Sequence, residues 1–342
     1  MKSVLKNFVQ RAGLLRIVNK LTSNKLNIVL YHGFMSNLNL ESVSNMFAKK
    51  FISSNEFEEH LKIYLRYAIP ISLQEFVIKE NLPNNALIIT IDDGYENNYS
   101  IAYPILKKYQ IPATIFITTG FIDRKNVLWT DWIDVILFRA RNIKKPFFCQ
   151  GKEIFLNLEN KKTRYLTLQK VKTILKVMPK SYIFNFLTKL QDFLKVEYSW
   201  DTMPNGLRPL KWEQIREMKE SGLISFGSHT VSHPILSRCN HEIQQYELYE
   251  SKCRIETELN EPCYMFAYPN GQMDDYMIKT IELLRNNKYK VALTAKHGYN
   301  HINFNNRFEL KRWGSNVSKD GLEFAISGAS FFVKKIKKDF FA

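Results

Sequence analysis

The sequence predicts an α/β protein whose core is a parallel sheet, and three observations carry that prediction. Short apolar, β-branched runs recur at residues 28–31, 86–91, 111–118, 223–226 and 289–294. Amphipathic helical stretches separate them, at 57–67, 99–109, 212–221, 242–259 and 276–286. Chemistry-bearing residues stand directly after several of the apolar runs, where parallel sheets gather their ligands. Strand–helix alternation of this kind argues for helices packed on a parallel sheet. With 342 residues and 45% hydrophobic content, the chain can bury one large core and an insertion besides.

The first 25 residues are basic and amphipathic and lack the uninterrupted apolar stretch of a signal peptide. An apolar strand then runs from Ile28 into Tyr31-His32-Gly33, leaving a histidine at its tip. Pro83-Asn84-Asn85 introduce the run 86–91 and Asp92-Asp93-Gly94 end it, the pattern of a buried parallel strand. Neighbouring side chains of an extended segment point to opposite sides, so Asp92 and Asp93 are expected to take different tasks. Gly94 permits the turn that follows. Taken alone, Asp-Asp-Gly reads equally well as a solvated Asx-type turn.

Between 123 and 209 the alternation is interrupted. Trp129-Thr130-Asp131-Trp132 lead into an apolar helix (133–140), and a hairpin spans 146–158 around Gln150-Gly151-Lys152. Two Lys-rich helices, 167–177 and 182–196, are split near Pro179. This reads as a mostly helical insertion packed on the main unit and shaping a substrate groove. Trp129, Asp131 and Trp132 could form a stacking platform for a ring-shaped ligand, although aromatics in apolar helices more often belong to the core.

Helix 212–221 stops at Gly222, strand 223–226 follows, and Gly227-Ser228 bring the chain to His229-Thr230-Val231-Ser232-His233. On a helical turn, a four-residue spacing places both imidazoles on one face, within reach of one metal. Pro234 stops a longer helix. Lone histidines are usually structural or exposed, but this pair holds two of the seven in the chain and follows a strand. Two histidines and a carboxylate leave the remaining zinc coordination open for water or substrate, as a hydrolytic site requires.

Together these segments resemble the polysaccharide deacetylases of carbohydrate esterase family 4. Thr90-Ile91-Asp92-Asp93-Gly94 resembles that family's first motif and His229-Thr230-Val231-Ser232-His233 its second. Residues 210–230 follow its helix-then-strand approach, and Phe266-Ala267-Tyr268-Pro269-Asn270-Gly271 resembles its third motif. The resemblance covers about residues 26 to 315, apart from the insertion. It implies an irregular (β/α) barrel that removes acetyl groups, as a hydrolase of amide bonds, from N-acetylated amino sugars of a polysaccharide, oligosaccharide or lipid-linked glycan. It implies Asp93, His229 and His233 as ligands of a divalent metal, with zinc expected, and Asp92 as the base. The oxyanion donor maps to the Asn270 N–H.

The acid that protonates the departing amine is expected at His32. The resemblance here is to the branch containing the biofilm poly-N-acetylglucosamine deacetylases, where this histidine comes from the first strand. His32 also reads as a group supporting the metal site. His297 and His301 lie late in the chain, in a context that does not match the family's other acid motif. Where the more common third motif has an arginine that orients the base, this chain has Ala267. Arg312, in a late strand, could replace it by charge complementarity to Asp92; an ordinary surface arginine is the other reading. O-deacetylation of a glycan, or a silent glycan-binding homologue, are the alternatives.

The net charge of +16 invites the question of partners. Both ends are basic and amphipathic, which divides the chain into 1–25, a barrel at 26–315 and a tail at 316–342. Such ends suit reversible docking on anionic headgroups, with Phe331, Phe332 and Ile336 adding apolar contact. The plainer reading is Lys-rich solvated faces. Basic charge is also the footprint of nucleic-acid binding, but no motif accompanies it, so nucleic acid is not expected. Cys149, Cys239, Cys253 and Cys263 are scattered and expected as free thiols. No apolar segment reaches the roughly 18 residues of a membrane span. The expectation is a cytoplasmic enzyme, with peripheral contact at the inner membrane face.

Overall fold

A computed structural model describes residues 14–36, 50–79, 82–302, 306–315 and 317–333. Seven strands among these residues close into a parallel barrel: β1 (Lys25–Tyr31), β2 (Ala86–Asp93), β3 (Ala113–Ile117), β4 (Ile224–Ser228), β5 (Met265–Ala267), β6 (Val291–His297) and β7 (Leu310–Gly314). Each strand pairs in parallel with the next, and β7 returns to β1 through Val29↔Trp313 and Leu30↔Gly314. The expected (β/α) barrel is thus present.

Strand β2 explains the pattern that announced it. It is buried along its whole length between β1 and β3, so an alternating polar face would leave groups without water. Its side chains instead alternate between two apolar environments. Ala86 and Ile88 join Leu26, Ile28, Phe116, Ala267, Leu293 and Leu310 in one cluster, drawn from six strands across the barrel. Leu87, Ile89 and Ile91 join the larger cluster under the surrounding helices. Those helices include α1 (Ser54–Tyr67), α2 (Tyr103–Tyr109), α6 (Trp212–Glu220), α7 (His241–Leu259) and α8 (Ile278–Asn286).

The interval between β3 and β4 holds α3 (Trp129–Arg139), a hairpin (Lys144–Cys149 with Lys152–Asn157), α4 (Lys161–Lys176) and α5 (Lys180–Leu194). Gln150 and Gly151 turn the hairpin with φ of 48° and 74°, the double positive φ of a tight type I′ turn. These elements own a separate core of Ile133, Ile136, Phe147, Val171, Phe186 and Leu190, to which the chain beyond β4 contributes Ile235.

Parts of both flanking segments, 1–25 and 316–342, pack on the barrel. A helix at Leu15–Leu21 buries Leu15 and Val18 in the main core. Helix α9 (Lys319–Ile326) and the residues after it bury Leu322, Ala325, Ile326 and Ala329 there too. Phe331 stacks edge-on against Tyr299 at 4.9 Å, and Phe332 packs on the core. Apolar residues read as a membrane face are therefore engaged by the barrel. Residues 1–13 and 334–342, Ile336 among them, lie outside the described residues. All four cysteines are free thiols. No helix among the described residues is long and apolar enough to cross a membrane.

Candidate active site

Asp93, His229 and His233 converge beyond the C-terminal ends of β2 and β4. The Nε2 atoms of His229 and His233 stand 3.6 and 3.5 Å from Asp93 Oδ1. Ligand atoms about 2.0–2.1 Å from a tetrahedral ion lie roughly 3.3–3.4 Å apart, so the three atoms fit one small divalent cation. Asp93 Oδ1 is buried and has no hydrogen-bond partner among the described residues, a cost that a cation would remove. The donor set of two imidazoles and a carboxylate suits zinc. His229 Nδ1 lies 2.7 Å from the Ala267 carbonyl, which only accepts, so Nδ1 carries the proton and neutral His229 presents a bare Nε2. Burial pushes the His233 imidazole down to about 3, keeping it neutral as a metal ligand must be.

Local backbone differs from expectation in both motifs. Residues 229–233 form no helical turn; Thr230 and His233 have φ of 70° and 56°. The loop is held by outside partners: the buried carboxylate of Glu247, on α7, accepts 2.9 Å hydrogen bonds from Val231 and Ser232 N–H. Lys180, at the start of α5, bonds Ser232 Oγ at 2.5 Å and Glu247 at 3.2 Å. Gly120 accepts the loop on its other side, where a Cβ would meet the Val231 carbonyl oxygen at 2.5 Å. Asp93, with φ of 79°, also leaves the extended conformation. The two aspartates therefore do not face apart: both line one cavity.

Asp92 keeps the alternation of its strand, on the same side as Ile88 and Thr90. Arg312, two residues beyond the interior Leu310 of β7, meets it there, with Nη1 and Nη2 each 2.7 Å from a carboxylate oxygen. Arg312 Nε also donates to the Thr294 carbonyl at 2.7 Å, and Nη1 to Thr90 Oγ1 at 3.2 Å. The arginine is 1% exposed, so it is not a surface residue. Burial alone would raise the Asp92 carboxyl, but the Arg312 guanidinium outweighs it and holds Asp92 below the usual carboxylate range. Asp92 is ionised and fixed, with Oδ2 4.0 Å from His229 Nε2.

The cavity has a volume of about 250 Å³, and His32, Tyr268 and Asn270 line it with the aspartates and histidines. His32 is half-buried after β1, and its carbonyl accepts from Asn98 Nδ2 at 2.8 Å. Burial lowers its imidazole pKa, partly opposed by Asp93 and Asp92. Asn270 has φ of 59°, followed by Gly271 at 69°, a left-handed pair that turns the third motif around the cavity. His297 packs edge-on against Trp313, 4.3 Å between ring centres, and does not line the cavity.

Lys50 was not legible in the sequence. Its Nζ lies 2.9 Å from both Asp93 Oδ2 and Asp131 Oδ1, while Tyr95 donates to Asp131 Oδ2 at 2.6 Å. The lysine anchors the Asp93 oxygen turned away from the histidines, and the two carboxylates hold Lys50 protonated against burial. Asp131 gave no hint of this pairing, having been read only with Trp129 and Trp132. Glu247 had no signal at all, being one of several glutamates on a polar helix. The proposed platform is likewise revised. Trp129 is 1% exposed in the insertion core, Asp131 is bound to Lys50, and Trp132 Nε1 donates to Gln191 at 2.8 Å.

Comparison with known proteins follows the same lines. Residues 79–292 match the family described as Polysaccharide deacetylase. YxkH of Bacillus subtilis is 33% identical over 279 residues, covering 80% of this chain and 66% of its own length. The poly-beta-1,6-N-acetyl-D-glucosamine N-deacetylase of Staphylococcus aureus is 40% identical over 79 residues, 22% of this chain and 27% of its own. The chain thus spans less than two thirds of the length of either sequence relative. The Streptococcus pyogenes deacetylase PplD, solved in complex with acetate, shares the fold with a TM-score of 0.57 at 22% identity. That match covers 88% of this chain and 98% of that one.

Proposed function

The chain belongs to the polysaccharide deacetylase family, and on that premise we propose that it removes N-acetyl groups from amino sugars of a glycan. The carrying observation is the orphaned Asp93 Oδ1, about equidistant from two histidine Nε2 atoms and beside an arginine-clamped Asp92. A divalent cation, zinc by preference, would be held by Asp93, His229 and His233. When bound it supplies Lewis acidity to the acetyl carbonyl and to water. Asp92 takes a proton as the water oxygen bonds to the acetyl carbon. The Asn270 N–H donates to the oxyanion, and His32 delivers a proton to the nitrogen as the C–N bond breaks. Acetate and a free amine result. The activity for which the staphylococcal relative is named supports an N-acetylglucosamine unit as substrate. The cavity is just under the ~300 Å³ lower end of small-molecule pockets, which suits one sugar ring at the reacting position.

The same site could hydrolyse an O-acetyl ester, and loss of the third-motif arginine at Ala267 motivates a silent homologue. Arg312 on Asp92 weighs against silence. Acetate release from N-acetylglucosamine oligomers and from O-acetylated sugars, after chelation and zinc add-back, decides among the three. Activity on the oligomers that survives both chelation and Asp93→Ala refutes the mechanism. For location, the proposal is a cytoplasmic enzyme whose basic ends contact the inner membrane face.

A further inference from the structure

Helix α4 of the insertion buries Leu168, Val171 and Leu175 in its own core and turns Lys172 and Lys176 to the catalytic cavity. The spacing of four residues stacks the two ammonium groups on one helical face. They line the same cavity as Asp92, Asp93 and the metal histidines. The charges there are not equally committed. Asp92 is neutralised by Arg312, Lys50 is shared by Asp93 and Asp131, and Lys172 is ion-paired with the buried Asp134. Lys176 is exposed and has no acidic partner among the described residues. A bound dication would leave the cavity net positive. Two further donors, Trp129 Nε1 and Thr130 Oγ1, belong to lining residues and have no partner among the described residues. A site for a purely neutral glycan does not call for this arrangement of cations, which raises the local concentration of anions and can bond one directly.

We propose that the substrate is an anionic glycan, whose negative group lies on a unit neighbouring the acetylated sugar and is bound by Lys176 with Lys172. This deepens, and rests on, the deacetylase reading of the site. Phosphate ester and carboxylate share the required chemistry. Lysine meets either as a mobile point charge and imposes no bidentate geometry.

The test uses the intact chain with zinc and three oligomers: an N-acetylglucosamine tetramer, the same tetramer carrying a 6-phosphate, and a tetrasaccharide alternating N-acetylglucosamine with glucuronic acid. Binding and acetate release are read in parallel on wild type, Lys176→Glu and Lys176→Arg. The expected result is binding of at least one anionic oligomer roughly tenfold tighter than the neutral one, as for one charged hydrogen bond. Lys176→Glu abolishes that preference, Lys176→Arg keeps it, and added salt weakens it. Preference for one oligomer alone assigns phosphate or carboxylate as the anion. Equal binding of all three, or a Lys176→Glu effect equal on all three, overturns the inference while acetate release still upholds the deacetylase. A preserved anionic preference with no acetate from any oligomer overturns the deacetylase reading and upholds the anion subsite.

Discussion

Arg312 and Asp92 lie 220 positions apart in sequence and are joined by two 2.7 Å hydrogen bonds inside the barrel. The pair exists because β2 and β7 each project alternate residues inward, and both reach their C-terminal ends with a charged residue on the interior side. The geometry is the planar fork for which arginine is suited and lysine is not. It fixes the orientation of the carboxylate and keeps it ionised in a buried setting.

Arg312→Lys is therefore expected to lower kcat by roughly 10–100-fold with a much smaller change in KM, since it loosens a positioned base. Arg312→Met leaves Asp92 buried without its counter-ion and should cost roughly 3–5 kcal/mol of stability. With its folded pKa depressed, Asp92 contributes stability above its unfolded pKa and loses it as pH falls through the folded value. Removing Arg312 raises the folded value, so the acid limb of the pH–rate profile should move to higher pH. Profiles that superpose for wild type and Arg312→Lys would show that the clamp does not set the base.

Metal binding is checked without reference to turnover. Zinc at about 100 times its Kd should stabilise the wild type by about 2.7 kcal/mol, seen as a rise in Tm that chelator reverses. Asp93→Ala and His233→Ala should lose both the rise and the bound metal measured by elemental analysis. Retention of stoichiometric zinc by both variants removes these ligands from the assignment.

His32→Gln separates acid from ligand. Metal content should stay near one per chain, while amide hydrolysis falls by roughly 10²–10⁴-fold. An ester expels a less basic oxygen, so its hydrolysis should fall much less. Equal losses on amide and ester, or loss of the metal, would place His32 in a supporting role.

The insertion carries its own pH signature. Burial pushes the Asp134 carboxyl from 3.8 up to about 6, although Lys172 opposes the shift. Between those values the folded chain binds more protons than the unfolded one, so stability falls as pH rises through the window. The whole loss is roughly 3 kcal/mol. Asp134→Asn should lose this contribution and gain on the wild type between about pH 4 and 7, read by denaturant unfolding at each pH. Parallel pH curves for the two proteins would mean that Asp134 stays ionised in the fold throughout.

The membrane proposal rests on residues at the chain ends, many of them outside the described ones. Each Lys or Arg near an anionic surface is worth about 1 kcal/mol, so four to six such residues suffice for reversible attachment. Pelleting with anionic liposomes should fall with salt and with deletion of residues 329–342, provided the shortened chain keeps its Tm. That control matters because Ala329 is buried in the main core. Equal, negligible pelleting in every condition leaves the net charge of +16 as solvated surface.

Much of the fold was legible because burial on both sides leaves a mark that reads locally. The run 86–91 had to be apolar throughout, and the helices between strands had to show one apolar face. The cluster of Asp93, His229 and His233 was legible for a similar reason: its residues stand at or directly after strand ends, in short motifs. Backbone detail was not. Neither the positive φ of Asp93 and Thr230 nor the nonhelical path of 229–233 follows from residue type, because distant partners impose them. Glu247, Lys180 and Gly120 hold that loop from three different elements.

The sequence by itself determined the alternation of strands and helices, and it put Asp92, Asp93, His229 and His233, the residues proposed as base and metal ligands, directly after two of those strands. Only the tertiary structure decided that Arg312 clamps Asp92, that Lys50 anchors Asp93, and that α4 brings two lysines to the cavity. Local chemistry is written in neighbouring residues, where spacing and apolar pattern can be read directly. Partners brought together by barrel closure and by the docking of an insertion are separated by up to hundreds of positions, and their pairing depends on register and side-chain direction that no single segment encodes.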